Sequence, residues 1–280
     1  MFYREIAPKG NLKRLIECFW VLEHDYRASF HSHEHLWATV HSELIFSFGQ
    51  RYYLKTPAGK SVLPENFVIG PFRKKLMLYS DGFTGFVAVR FHPWGLSPFS
   101  IKPMSSLVGA IVPVEVVFHS ELQALVRQLQ DRKREEKLDL LERYFQERLA
   151  TVTLGTMASA RIGDKILSEK GTASISVLLA KFRINSCQLE RVFRAETGLS
   201  PKLFSRIVRF NHAKRMIEEN PDISLAQLTY DCGYSDQAHF NKNFRELFDL
   251  SPADFKRQLK RFAKETAGQI DVEFLQDRPA

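Results

Sequence analysis

The sequence predicts an α+β protein: a β-rich amino-terminal domain followed by an all-α domain with two helix-turn-helix units joined by a linker helix. Three observations carry this. Short runs of aromatic and β-branched residues, separated by turn chemistry, fill residues 1–118. From His119 the apolar residues recur at helical spacing. In the last hundred residues, two stretches repeat at an offset of 51: Leu189 with Phe240, Phe193 with Phe244, Leu199-Ser200-Pro201 with Leu250-Ser251-Pro252, Phe204 with Phe255 and Arg206 with Arg257.

The first segment predicts an early helix near Asn11 to Leu22. It then predicts strands at Glu43 to Phe48, Arg51 to Leu54, Ser61 to Leu63, Phe67 to Ile69, Leu76 to Ser80 and Phe86 to His92. Pro57-Ala58-Gly59, Gly70-Pro71, Asp81-Gly82 and Pro93-Trp94-Gly95 supply turns, and Asp81-Gly82 has the chemistry of a hairpin. A compact sandwich or barrel follows. Two amphipathic helices come next, marked by Leu122, Leu125 and Leu129, then by Leu138, Leu141, Phe145 and Leu149; they complete the amino-terminal core or form a subunit interface. Thr151 to Ser159 reads as a linker within an extension over residues 119–160, and residues 263–280 read as a tail.

Within residues 161–262, Ser174 or Ser176 caps a first helix. Arg183 to Asn185 make the turn, Ser186 caps a second helix to Thr197, and Gly198 ends it in the left-handed region. The second copy uses Ser224 as cap, turns at Gly233-Tyr234-Ser235, and runs from Asp236 to Phe248, with Asp249 where Gly198 stood. Ser200-Pro201 starts the linker helix, which Asn220-Pro221 stops. About 19 residues span roughly 28 Å, a length that suits two helices set about one DNA turn, roughly 34 Å, apart.

Charge agrees with this placement. The net charge is +8, and residues 161–262 hold 18 Lys and Arg against 12 Asp and Glu, while the rest holds 22 against 20. A polyanionic partner suits that region. With 280 residues, 44% hydrophobic and 26% charged, the chain can bury two cores. Cys18, Cys187 and Cys232 are too few and too far apart for a disulfide framework or a cysteine zinc site. Neither a leader nor an apolar run near 18 residues is present, so the expectation is a soluble protein of a reducing cytoplasm.

The run from Gly233 to Arg245, followed by Leu250-Ser251-Pro252 and Phe255-Lys256-Arg257, resembles the signature of the AraC/XylS family of bacterial transcription regulators. Lys242 stands where arginine is more usual and Asp249 where glycine is. The resemblance implies a sequence-specific DNA-binding regulator, not an enzyme, with no cofactor. Residues 1–118 then become a candidate sensor or dimerisation domain. Double-stranded DNA is the expected partner; RNA polymerase and a small effector are further candidates, no membrane is involved, and the chain acts as a monomer or homodimer.

On the first reading helix the resemblance places Ser186, Cys187, Gln188, Glu190, Arg191 and Arg194 toward DNA; on the second, Gln237, Ala238, His239, Asn241, Lys242 and Arg245. Arg191, Gln237 and Lys242 are the expected base readers, while Ser186, Arg194, His239 and Arg245 are expected on phosphates.

Two further clusters stand outside the reader. His31, His33 and His35 alternate as on one strand face and could converge on a metal, or lie in an exposed loop. Trp37, Tyr52, Tyr53, Phe72, Arg90 and Trp94 could wall a pocket or belong to the core. The alternative reading is an enzyme, metal-dependent or of DNA-repair type, carrying an appended AraC-like domain; Cys18 is the only cysteine in the amino-terminal half. GxSxG, HExxH and phosphate-cradling glycine motifs do not occur in the sequence.

Overall fold

The computed structural model describes residues 2–28, 33–130, 132–152 and 158–265. The amino-terminal half holds two antiparallel sheets. In spatial order the larger is β1 (Phe2–Ile6), β2 (Ile16–Asp25), β9 (Phe83–Phe91), β4 (Ser42–Gly49), β7 (Asn66–Ile69) and β10 (Ile111–Pro113). The smaller is β3 (His33–Leu36), β8 (Leu76–Tyr79), β5 (Tyr53–Thr56) and β6 (Gly59–Val62).

The larger sheet is buried on both faces. Trp20, Leu22, Ile45, Phe67 and Phe86 point at Leu36, Tyr52 and Leu78 of the smaller sheet and its flanks. Their alternate neighbours Val21, Leu44, Phe46, Val68, Val87 and Val89 point the other way, into a layer of helices. That layer holds α1 (Met104–Leu107), α2 (Val114–Val117), α3 (Glu121–Leu129) and α4 (Arg134–Leu149), and Leu122, Leu125, Leu138, Leu141 and Phe145 join its core. The amphipathic stripes of α3 and α4 therefore close the amino-terminal core of their own chain.

Burial on both faces explains why the expected helix at Asn11 to Leu22 is not there. Gly10–Arg14 is a short 3-10 turn, and Ile16–Asp25 is the strand β2. A strand apolar on both sides reads as a continuous hydrophobic run with no period of two, so spacing does not separate it from a buried helix. The Asp81-Gly82 hairpin is also corrected. Those residues turn the chain from β8 in one sheet to β9 in the other, and Gly82 O accepts from Tyr26 N at 3.1 Å. The tight hairpin is instead β5–β6, where Thr56 pairs Gly59 across Pro57-Ala58, and Gly59 takes φ +113°.

The carboxyl-terminal half contains α5 (Ala158–Ser168), α6 (Ile175–Phe182), α7 (Ser186–Thr197), α8 (Pro201–Glu219), α9 (Leu225–Asp231), α10 (Gln237–Phe248) and α11 (Pro252–Glu265). Helix α11 thus extends past Phe262, and the remainder of the expected tail, like residues 153–157 of the expected linker, lies outside the described residues. Ser200 caps α8 by accepting from Leu203 N, with Pro201 at the first helical position.

One aromatic cluster joins α8 to the helices on either side. Phe204 meets Phe193 of α7 edge-on at 5.4 Å between ring centres, and Phe210 meets Phe240 and Phe244 of α10 at 5.6 and 5.8 Å. Phe244 also touches Phe248 and Phe255 and is fully buried. Replacing Phe244 by alanine removes a ring at this junction and is expected to cost about 3–5 kcal/mol, read as a lowered urea midpoint. An unchanged midpoint would contradict its place in the core.

Candidate nucleic-acid interface

Each helix-turn-helix unit is held by local chemistry at its turn. Helix α6 ends on Arg183, whose φ of +50° puts it in the left-handed region. The cap of α7 is Asn185, not Ser186: Asn185 Oδ1 accepts from Gln188 N at 2.9 Å, and Gln188 Oε1 accepts from Asn185 N at 3.2 Å. This reciprocal pair favours asparagine because its amide oxygen reaches the third helical N–H, leaving Ser186 as the first residue inside the helix. In the second unit Asp236 Oδ1 accepts from His239 N at 2.7 Å. Both reading helices stop on left-handed residues, Gly198 at φ +77° and Asp249 at φ +56°.

The side chains expected on DNA are distributed as follows. Ser186, Cys187, Gln188, Arg191 and Arg194 on α7 are exposed, and so are Gln237, Ala238, His239, Lys242 and Arg245 on α10. Leu189, Phe193, Phe240 and Phe244 are turned inward. Three expectations need adjusting. Gln188 has its carbonyl oxygen committed to the cap, leaving only its amide N–H groups for a base. Glu190 is half-buried and bound to Arg194 Nε at 2.7 Å, so both ends of that pair are engaged. Asn241 is half-buried, with Oδ1 enclosed and without a hydrogen-bond partner, because it sits at the edge of the buried stripe beside Phe240.

Sequence reasoning missed two exposed side chains on the leading helices, Val177 on α6 and Tyr230 on α9, exposed by 62% and 78%. The signal was available. Tyr230 lies two positions from buried Leu228, and a helix turns those positions to well-separated directions.

Both units are also seated on the amino-terminal domain. In the first, a Cβ added at Gly198 would lie 2.5 Å from Met104 O in α1. In the second, Trp37 packs against Phe248 of α10 and Phe255 of the following helix α11, 5.4 Å from each ring, with Lys75 Nζ 4.8 Å from its ring centre.

The other clusters resolve differently. His33 and His35 lie on β3 with rings 5.0 Å apart, while His31 lies outside the described residues, among which no group of three or more His, Cys, Asp or Glu is placed to hold a metal. Cys18 is buried in the core, and burial pushes its thiol well up, the opposite of what a nucleophile needs. Among the described residues no helix is long and apolar enough to cross a membrane. Of the six candidate pocket residues, Trp37, Tyr52, Phe72 and Arg90 line cavities. Tyr53 instead stacks on Tyr79, and Trp94 lies under His92 and against Gly163.

A β-rich domain carrying two helix-turn-helix units on one connecting helix defines a two-domain protein with paired exposed cationic helices. A family profile described as a helix-turn-helix domain matches residues 178–258, and another, described as a domain of unknown function (DUF6597), matches residues 4–113. Residues 178–258 carry an AraC-type helix-turn-helix match, and regulators of the AraC family are among the homologues of this chain. The Msm operon regulatory protein of Streptococcus mutans is 28% identical over 123 residues, 43% of this chain and 44% of that protein. The HTH-type transcriptional activator RhaS of Citrobacter koseri is 32% identical over 77 residues, 28% of this chain and 27% of its own length. The chain therefore spans less than half the length of these two relatives. Among solved structures, ToxT from Vibrio cholerae aligns over 85% of this chain and 98% of its own at 11% identity, with a TM-score of 0.45.

The close seat at Gly198 generates a test. Gly198→Ala forces a left-handed alanine against a backbone carbonyl, and is expected to destabilise the chain by about 2–4 kcal/mol. Thermal and urea unfolding would measure it; a neutral result would show that α7 does not rest on α1.

Proposed function

We propose that this chain is a sequence-specific DNA-binding transcription regulator whose amino-terminal domain answers to a small effector. The observation that carries this reading is the pair of exposed basic helices, α7 and α10, fixed to one connecting helix with their apolar faces buried. The names of the relatives, a regulatory protein and a transcriptional activator, support it. An enzyme is not favoured, since the buried Cys18 offers no reactive thiol.

In this reading the basic surplus of the carboxyl-terminal region steers the encounter, and phosphate contacts set the register. Ser186, His239 and Arg245 stand at exposed positions suited to phosphates. Arg191 and Lys242 offer donors to guanine, Gln237 can bridge adenine, and exposed Ala238 can meet a thymine methyl. Arg194 must choose between Glu190 and a phosphate. When it swings to the backbone, the freed Glu190 carboxylate can accept from cytosine, so one movement arms two contacts.

Selection from random duplexes with the full chain is expected to return two motifs about one helical turn apart, within a single site. Failure to retain any duplex at moderate salt would overturn the reading. Arg191→Ala or Lys242→Ala should cost about 1–3 kcal/mol on the selected site and relax the base preference there. Equal losses on random and selected DNA would reassign that side chain to the backbone.

A further inference from the structure

Between the two sheets lie two adjacent cavities, each with about 20 Å³ of open interior, room for a single water. They share Leu36, Glu43, Ile69 and Arg90 as a common wall. Three enclosed N–H donors on these walls have no hydrogen-bond partner: Arg90 Nη2, Trp20 Nε1 on the inner cavity and Trp37 Nε1 on the outer. Arg90 is 96% removed from solvent by its relative exposure of 4%. A buried donor without a partner has given up its hydration for nothing in return, and three such donors on these walls ask for an acceptor.

The surroundings decide which acceptor. The Arg90 guanidinium already gives Nε to Glu43 at 2.7 Å and Nη1 to Glu5 at 3.2 Å, one cation between two carboxylates. Nearby His41 is matched by Glu17 at 3.0 Å. An added anion would meet a surplus of negative charge in a medium that screens it poorly. A cation would face the Arg90 guanidinium and the three N–H donors, and the Glu34 carboxylate that also lines the inner cavity already accepts from the hydroxyls of Tyr26 and Tyr52. What remains is an uncharged acceptor such as a carbonyl oxygen, on an otherwise apolar body suited to Leu22, Ile45, Phe67 and Leu78.

Anything larger than water needs a wall to move. One wall is the short stretch Trp37 to Thr39, tied to Phe72 by a single pair of backbone hydrogen bonds of 3.1 and 3.0 Å. Trp37 is also the ring packed against Phe248 of the second helix-turn-helix unit and Phe255 of the helix that follows it.

We propose that the two cavities are halves of one binding site for a compact, uncharged, mainly apolar molecule bearing a carbonyl-type oxygen, and that its entry displaces the Trp37 segment on which the second reading unit rests. The coupling to DNA rests on the regulator reading above; the binding site does not. A ligand shifts an arrangement only by the difference in its affinity for the two states, and this site supplies one because the closed form cannot admit it.

The test uses the full chain with cyclohexanone, and with cyclohexanecarboxylate, cyclohexylamine and methylcyclohexane as matched controls. Calorimetry and tryptophan fluorescence report binding, and gel retardation on a selected duplex is run in parallel. Saturable binding of cyclohexanone by about 10 mM, a fair ceiling for a probe of about seven heavy atoms, supports the site, provided that the three controls bind at least tenfold more weakly. Trp37→Phe keeps an aromatic ring but removes the N–H together with part of the indole, and is expected to weaken cyclohexanone about tenfold while methylcyclohexane, which needs no donor, is unchanged, with folding checked by circular dichroism. No binding, or equal binding of the carboxylate or of methylcyclohexane, overturns the site. Binding that leaves DNA affinity within about twofold overturns the coupling. Loss of all DNA retention without any ligand would instead overturn the regulator reading, leaving the calorimetry to judge the site alone.

Discussion

Two phenylalanines six positions apart on α8 fix the geometry on which the protein depends. Phe204 grips Phe193, and Phe210 grips Phe240 and Phe244. Six residues advance about 9 Å along a helix and turn its face by about 120°, so α8 presents one reading helix on each of two directions. Close-packed aromatic contacts have few alternative arrangements. The exposed side chains of α7 and α10 consequently inherit their mutual position from buried ones, and surface substitutions leave that position intact.

The amino-terminal domain adds two more restraints, and they differ in kind. At Gly198 backbone meets backbone, which leaves no slack. At Trp37 the contact is side chain on side chain, an indole against two rings and beside Lys75, so a change of rotamer or a shift of its segment can alter it. The first reading unit is thus the rigid one and the second the adjustable one. Because the larger sheet is clamped by the smaller sheet on one face and by α3 and α4 on the other, little else in that domain is free to answer a change at its centre.

The carboxyl-terminal half was legible because its signals are local and repeated. The caps at Ser200 and Ser224, the left-handed stops at Gly198 and Asp249, and the inward residues Leu189, Phe193, Phe240 and Phe244 all follow from spacing and residue chemistry. The failures share a different cause. Whether Ile16 to Asp25 is strand or helix, and which sheet receives the chain after Asp81-Gly82, depend on what covers each face, which spacing does not encode. Asn185 displaced Ser186 as cap because two acceptable residues stood side by side and only geometry chose. The seat of Trp37 joins residues more than two hundred positions apart, and nothing near Trp37 in the sequence points to Phe248 or Phe255.

The duplication behind α7 and α10 has one more consequence. The two copies were recast individually: one ends in glycine and leans on a main-chain oxygen, the other ends in aspartate and leans on an indole. A molecule with two unlike ends and no internal dyad has a head and a tail. Under the proposed function that means polarity: a single copy is expected to lie on its target in one orientation only, and a symmetric palindrome is the wrong lock for it.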